Sequence, residues 1–174
     1  MDIKIRKIDL EDIDVFEFLA KWSNDAEIRP YATPRFSEEG YKDILMVEII
    51  ASLMENPSKS VYLVCDGEKP IGELSIDMNF SHRVYKEDMT AWISLLIGEA
   101  EYRGRGISKI MMDFIEAECR RLGARAIELG VFEYNHRAQS LYLASGYHKI
   151  DEIKAFVFNF GSWHSDIRML KKLF

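Results

Sequence analysis

The sequence predicts a single α/β domain over residues 1–174, a mixed sheet with helices on its faces. Three observations predict it. Segments of strand character alternate with segments of helical period in the order β, α, α, β, β, β, α, β, α, β, β. The length suits one hydrophobic core. The composition, 48% apolar and 30% charged, is that of an ordinary globular chain and not of a disordered or coiled-coil one.

Residues 2–8 alternate charged and apolar side chains and read as a half-buried strand. Asp9 can cap a helix carrying Ile13, Phe16, Leu19 and Ala20 at helical spacing. Residues 22–35 are polar, contain Pro30 and Pro34, and read as a loop. A second helix is predicted over residues 37–54, with Tyr41, Ile44, Leu45 and Ile49 on one face, ended by Asn56-Pro57-Ser58. Residues 60–65 and 71–79 are strands joined by the turn at 66–70, a β-hairpin. Residues 81–88 form a polar connection. Residues 90–97 are almost continuously apolar, as expected of a central strand.

A loop at 98–106 leads into the clearest helix, where Ile107, Ile110, Met111, Phe114, Ile115, Cys119 and Leu122 follow a helical stripe and Gly123 stands past the end. Residues 126–132 are a strand, and 135–144 a short helix closed by Gly146. Residues 147–158 and 163–170 are two last strands joined through Gly161. There is no internal repeat and no long linker.

The formal net charge of −6 disfavours nucleic acid as a partner and favours cationic small molecules or basic peptides. No apolar run approaches the length of a membrane span, and the first residues have no signal-peptide core, so a cytoplasmic location is expected. Cys65 and Cys119 read as core residues in a reducing compartment. The cysteines and the four histidines show no metal-ligand spacing, so no metal is expected.

The chemistry concentrates at Arg103-Gly104-Arg105-Gly106-Ile107-Ser108-Lys109, between a buried strand and an amphipathic helix. Two glycines let the backbone turn tightly without obstructing a ligand. The unpaired amides at the helix start, the helix dipole and three basic side chains suit a pyrophosphate. A purely structural glycine turn is the plain alternative. A Walker A loop is excluded by spacing, and a dinucleotide fingerprint by Lys109 at its third glycine position, although Glu128 lies roughly where its ribose-binding acid belongs.

With Arg103, Gly106 and Ser108 filling the pattern Arg/Gln-x-x-Gly-x-Gly/Ala, this loop resembles the pyrophosphate loop of the GNAT N-acetyltransferases. Ser108 departs slightly from the pattern. A second segment, with Asn135, Ala138, Tyr142, Gly146 and Tyr147, resembles the family's Asn-x-x-Ala-x-x-x-Tyr-x-x-x-Gly-Phe run at the usual spacing. Residues 97–102 and Trp22-Ser23-Asn24-Asp25 resemble the ribosomal-protein and polyamine acetyltransferases in particular. The resemblance covers nearly the whole chain and is strongest over residues 90–150.

The resemblance implies a central, mostly antiparallel sheet flanked by helices, with acetyl-coenzyme A (acetyl-CoA) as co-substrate and a primary amine as acceptor. Polyamine, aminoglycoside-like molecule and protein amino terminus stay open as acceptors. Leu96, Ile97 and Gly98 are then expected to offer backbone hydrogen bonds to the pantetheine arm, with an amide near Leu96 polarising the thioester carbonyl. Residues Gly104 to Lys109 bind the pyrophosphate, Asn135 approaches the cofactor, and Tyr142 is the general acid.

The base is less defined, because the glutamate that some relatives carry five residues before the Asn is Gly130 here. Glu73, sharing a strand face with Ser75 and Asp77, and Glu128 are the candidates, each with a solvated or ion-paired role as alternative. Trp22, Tyr31, Phe36, Trp92 and His164 are candidates for the amine pocket or for packing. A homodimer through residues 155–160 and a non-catalytic acyl-CoA-binding domain also stay open.

Overall fold

The computed structural model describes residues 1–174. The strands β1 (Ile3–Lys7), β2 (Lys59–Asp66), β3 (Lys69–Asp77), β4 (Thr90–Ile97), β5 (Ala126–Phe132), β6 (His148–Asn159) and β7 (Ser162–Lys172) form one seven-stranded sheet. Their order is β1-β2-β3-β4-β5-β7-β6. Every neighbouring pair is antiparallel except β4 with β5. The expected mixed, mostly antiparallel sheet is therefore present.

Alternation along the strands sends side chains to two cores. Tyr62, Val64, Leu74 and Ile76 face α4 (Ile107–Arg121), whose Ile107, Met111, Met112, Ile115 and Cys119 are fully buried. Val61, Leu63 and Cys65 face the opposite side, under Val15, Phe16, Leu19 and Trp22 of α1 (Ile13–Asn24). Each such aliphatic side chain contributes roughly 1.5–3 kcal/mol by leaving water. Ile110, expected in the α4 stripe, is instead exposed, and Met112 takes the buried place. The stripe runs along the 107-111-115-119 row, and Ile110 falls outside it.

Two helical expectations are corrected. The helix expected from Asp9 starts at Ile13, because Asp9 turns the chain first, accepting the Glu11 amide at 3.1 Å through its carboxylate. It then runs on through Trp22 to Asn24, into the expected loop, and the loop itself contains the short α2 (Arg29–Ala32). The helix expected over 37–54 begins only at α3 (Met46–Glu55). Tertiary hydrogen bonds hold the preceding residues irregular. The Asn24 side chain binds both the amide and the carbonyl of Ile44 at 2.8 Å, and the Tyr41 hydroxyl donates to Asn159 at 2.9 Å. No helix is long and apolar enough to cross a membrane, and both cysteines are buried and unpaired.

One feature of the sheet positions the site. β4 and β5 pair only through Thr90↔Ala126, Ala91↔Ile127 and Trp92↔Glu128. β5 pairs with β7 along its entire length. Beyond Trp92 the parallel pair therefore parts and leaves a gap inside the sheet, with α5 (His136–Ala144) beyond it.

Candidate active site

Hydrogen-bond parity decides which backbone groups face the gap. The Gly98 amide donates to Ile71 of β3 at 2.9 Å, and Ile71 and Gly98 continue the β3–β4 register in which Glu73 faces Leu96. Peptide groups of a strand point alternately to either side. Leu96 and Gly98 thus turn their amides to β3, and Leu95 and Ile97 turn theirs to the gap. This narrows one expectation and corrects another. The amide near Leu96 that is available for a carbonyl is that of Ile97 or Leu95, and the Gly98 amide is already used. Gly98 is glycine for another reason: a Cβ there would stand 2.2 Å from the Trp22 ring.

Below the gap lies a cleft of about 350 Å³, lined by Leu95, Leu96, Ile97, Arg103, Gly104, Gly106, Ser108, Lys109, Asn135 and Tyr142 among others. Gly104 and Gly106 both have φ of 78°, a left-handed conformation that favours glycine. A Cβ on Gly106 would meet nothing within 4 Å, so the backbone there is open to a ligand. Lys109 is the first amide at the start of α4 to find a backbone acceptor, Gly106 at 3.1 Å. The amides before it and the positive end of the helix dipole together suit a phosphate group.

The basic side chains divide differently from expectation. Arg103 lines the cleft with its guanidinium already engaged, donating to the Ile97 carbonyl at 3.3 Å and the Gly98 carbonyl at 3.2 Å and pairing with Glu27 at 3.1 Å. It braces the end of β4. Arg105 lies over the Tyr102 ring and does not line the cleft; Ile107 is a core residue. Lys109 lines the cleft while paired with Asp113. Arg137, which sequence reasoning missed, reaches within 3.5 Å of where a Gly104 Cβ would stand. Its position two residues after Asn135 was the available signal. Asn135 caps α5, accepting the Ala138 amide at 3.2 Å.

Above the gap, on the α1 side, a cavity of about 950 Å³ shares Leu95, Leu96, Asn135, Ala138 and Tyr142 with the cleft. Tyr142 therefore stands where the two meet. It is 7% exposed, and burial pushes its phenol up to about 12. Glu73 lines the cavity beside Leu96, and burial pushes its carboxyl up to about 7, with Lys59 opposing. Its strand-mates are otherwise engaged. Ser75 is 2.7 Å from Ser94, and Asp77 accepts from Asn56 and Ser58 at 2.8 Å.

Glu128 is fully buried and does not line the cavity. Its two oxygens accept the Val84 and Tyr85 amides at 2.9 Å each, and Arg168 stands 3.3 Å away. It anchors the connection carrying Phe80 and His82, which is the ion-paired role open to it. Of the aromatic candidates, Tyr31, Phe36 and Trp92 line the cavity. Trp22 does not; it is 1% exposed in the α1 core and donates to Glu99 at 2.9 Å. His164 does not either, being bound to Glu133 at 2.8 Å and to the Asn159 carbonyl at 3.0 Å.

The model of the acetyltransferase (GNAT) family matches residues 16–147. No match was found among curated protein sequences. Solved structures share the fold. Spermidine N-acetyltransferase from Vibrio cholerae, solved with CoA and spermine, superposes with TM-score 0.77 at 20% identity, over 99% of this chain and 96% of that one. Ribosomal-protein-alanine N-acetyltransferase from Brucella melitensis gives 0.74 at 15%, over 97% and 99%. A candidate acetyltransferase of Salmonella typhimurium, solved with its cofactor acetyl-CoA, gives 0.75 at 16%, over 100% and 95%.

Proposed function

Because this chain belongs to the acetyltransferase (GNAT) family, we propose that it transfers the acetyl group of acetyl-CoA to a primary amine by direct attack in a ternary complex. The observation that carries this reading is the meeting of two cavities at Tyr142 through the gap between β4 and β5. One cavity suits a narrow, phosphate-bearing molecule and the other an amine. Acetyl-CoA supplies an acetyl group activated as a thioester. The amides at the start of α4 hold the pyrophosphate, and Arg137 adds a positive charge. The Ile97 amide, fixed by β4, donates to the carbonyl oxygen as charge develops there. Glu73 takes the proton that the amine loses, and Tyr142 gives its phenolic proton to the departing sulfur. At neutral pH a carboxyl near 7 is about half in its basic form and a phenol near 12 holds its proton, which suits a base and an acid.

The acceptor class is open among polyamines, aminoglycoside-like amines, amino acids and protein amino termini. The test is thiol release from acetyl-CoA across spermidine, an aminoglycoside, amino acids and ribosomal-protein amino-terminal peptides. Release that depends on one amine supports the transferase and names its class. CoA binding without release for any amine favours a non-catalytic acyl-CoA-binding domain, a reading that the bare Gly130 keeps in play.

Glu73 carries its own expected result. A base must be unprotonated, so kcat/KM falls about tenfold per unit as pH drops below about 7. Glu73→Gln lowers kcat by roughly 10²-fold and abolishes that inflection. A pH profile of the variant that keeps an inflection at about 7 assigns the proton to another group.

A further inference from the structure

Gly130 has no side chain, yet the space above it is filled by a neighbour. A Cβ at Gly130 would stand 2.7 Å and 2.9 Å from the two carboxylate oxygens of Asp166. Asp166 comes from β7, whose pairing places Arg168 beside Gly130 and Asp166 beside Phe132. Asp166 is 3% exposed and lines the acceptor-side cavity.

The partners of this carboxylate leave it half engaged. Arg168 is shared by two buried acids, Asp166 at 2.7 Å and Glu128 at 3.3 Å. Its other donation goes to the His82 carbonyl at 3.0 Å. Two carboxylates and one guanidinium leave the trio with one net negative charge. Glu128 has both oxygens occupied by backbone amides. Asp166 has Oδ2 on Arg168 Nε, while Oδ1 accepts no hydrogen bond from the protein. With no protein donor and a place on the cavity wall, Oδ1 is open to a donor that a ligand brings. Arg168 is itself held over the Trp92 and Phe156 rings at 4.8 and 5.9 Å, so it stays with Oδ2 and does not turn to Oδ1.

We propose that Asp166 forms a second ammonium-binding subsite, so that the acceptor is a diamine or longer amine with one nitrogen held at Asp166 Oδ1 and the other presented at Glu73 and Tyr142. This rests on the proposed acceptor role of the same cavity. Geometry separates the two positions. Glu73 lies on β3 and Asp166 on β7, with β4 and β5 between them. At about 4.8 Å per paired strand, and more where β4 and β5 part, the two acids stand at least on the order of 14 Å apart along the sheet. One ammonium group cannot serve both, whereas an extended dication can. The bound nitrogen stays protonated at Asp166 and takes no part in the transfer, so it acts on affinity and on the placement of its partner.

The test is calorimetric binding of n-alkylamines and α,ω-diaminoalkanes of increasing length to the full chain saturated with CoA, which prevents turnover. Affinity for the diamines is expected to rise with length and to exceed that of the matching monoamine by about tenfold at the best length. In Asp166→Asn that ratio falls to about one, and CoA binding by the same variant verifies its fold. A wild-type ratio of one at every length overturns the proposal and needs no variant. A variant that folds and keeps the tenfold ratio overturns it too. The binding series does not depend on acetyl transfer, so thiol release that fails with every amine overturns the transferase reading alone.

Discussion

Replacing Tyr142 by Phe is expected to lower kcat by about 10²–10⁴-fold with little change in CoA affinity. The substitution removes one oxygen. The ring keeps its place in the α4-side core, tilted against Tyr147 with centroids 6.0 Å apart. The hydroxyl makes no hydrogen bond within the protein that its loss would break. Burial holds the phenol near 12, so it is fully protonated at neutral pH and can only act as a donor. Single-turnover kinetics with the preferred amine and calorimetry with CoA check the two halves separately. Unchanged turnover would remove Tyr142 from the chemistry. Parallel loss of turnover and CoA affinity would make it a packing residue.

The second large effect concerns stability. Arg168→Met leaves Glu128 and Asp166, which are 0% and 3% exposed, without their shared cation. Breaking a buried ion pair on one side costs about 3–5 kcal/mol. The sign of its pH dependence follows from burial, which already pushes the Asp166 carboxyl upward against the pull of Arg168. Without the guanidinium the Asp166 carboxyl rises further above its unfolded value of about 3.9. A raised folded pKa contributes stability that is complete below the unfolded value and is lost as pH rises through the folded one. The variant is therefore expected to lie closest to wild type at pH about 4 and furthest from it at pH about 7.5. Urea unfolding of both proteins at the two values measures this. An equal deficit at both would show that packing against Trp92, over which the guanidinium lies at 4.8 Å, matters more than charge.

What the sequence made legible has a physical pattern. The strands and α4 were readable because burial on one face imposes a period on the residues themselves. The tight turn before α4 was readable because its left-handed conformation favours glycine, at Gly104 and Gly106. Residues 37–45 were misread because their apolar residues fit a helical face, while the groups that fix them, Asn24 and Asn159, are far away in sequence. The same limit applies to the site. Gly130 read as a missing acid, since nothing near it in the sequence reveals that β7 brings Asp166 to the same space. Arg103 read as a phosphate ligand because its charge is visible and its partners, the carbonyls of Ile97 and Gly98, are not. Composition reports what a residue can do, and pairing register reports whether it is free to do it.

The short pairing of β4 with β5 makes this an unfinished sheet, with unmet hydrogen-bonding capacity at its centre instead of at its rim. An exposed outer edge accepts any extended chain. This inner one is walled by strands and helices, so only a slender, flexible molecule can complete it. Completion by such a molecule stabilises the folded state by RT ln(1 + [L]/Kd). Holding the cofactor and holding the fold are then a single equilibrium, and the lifetime of the folded chain follows the supply of coenzyme as well as the temperature.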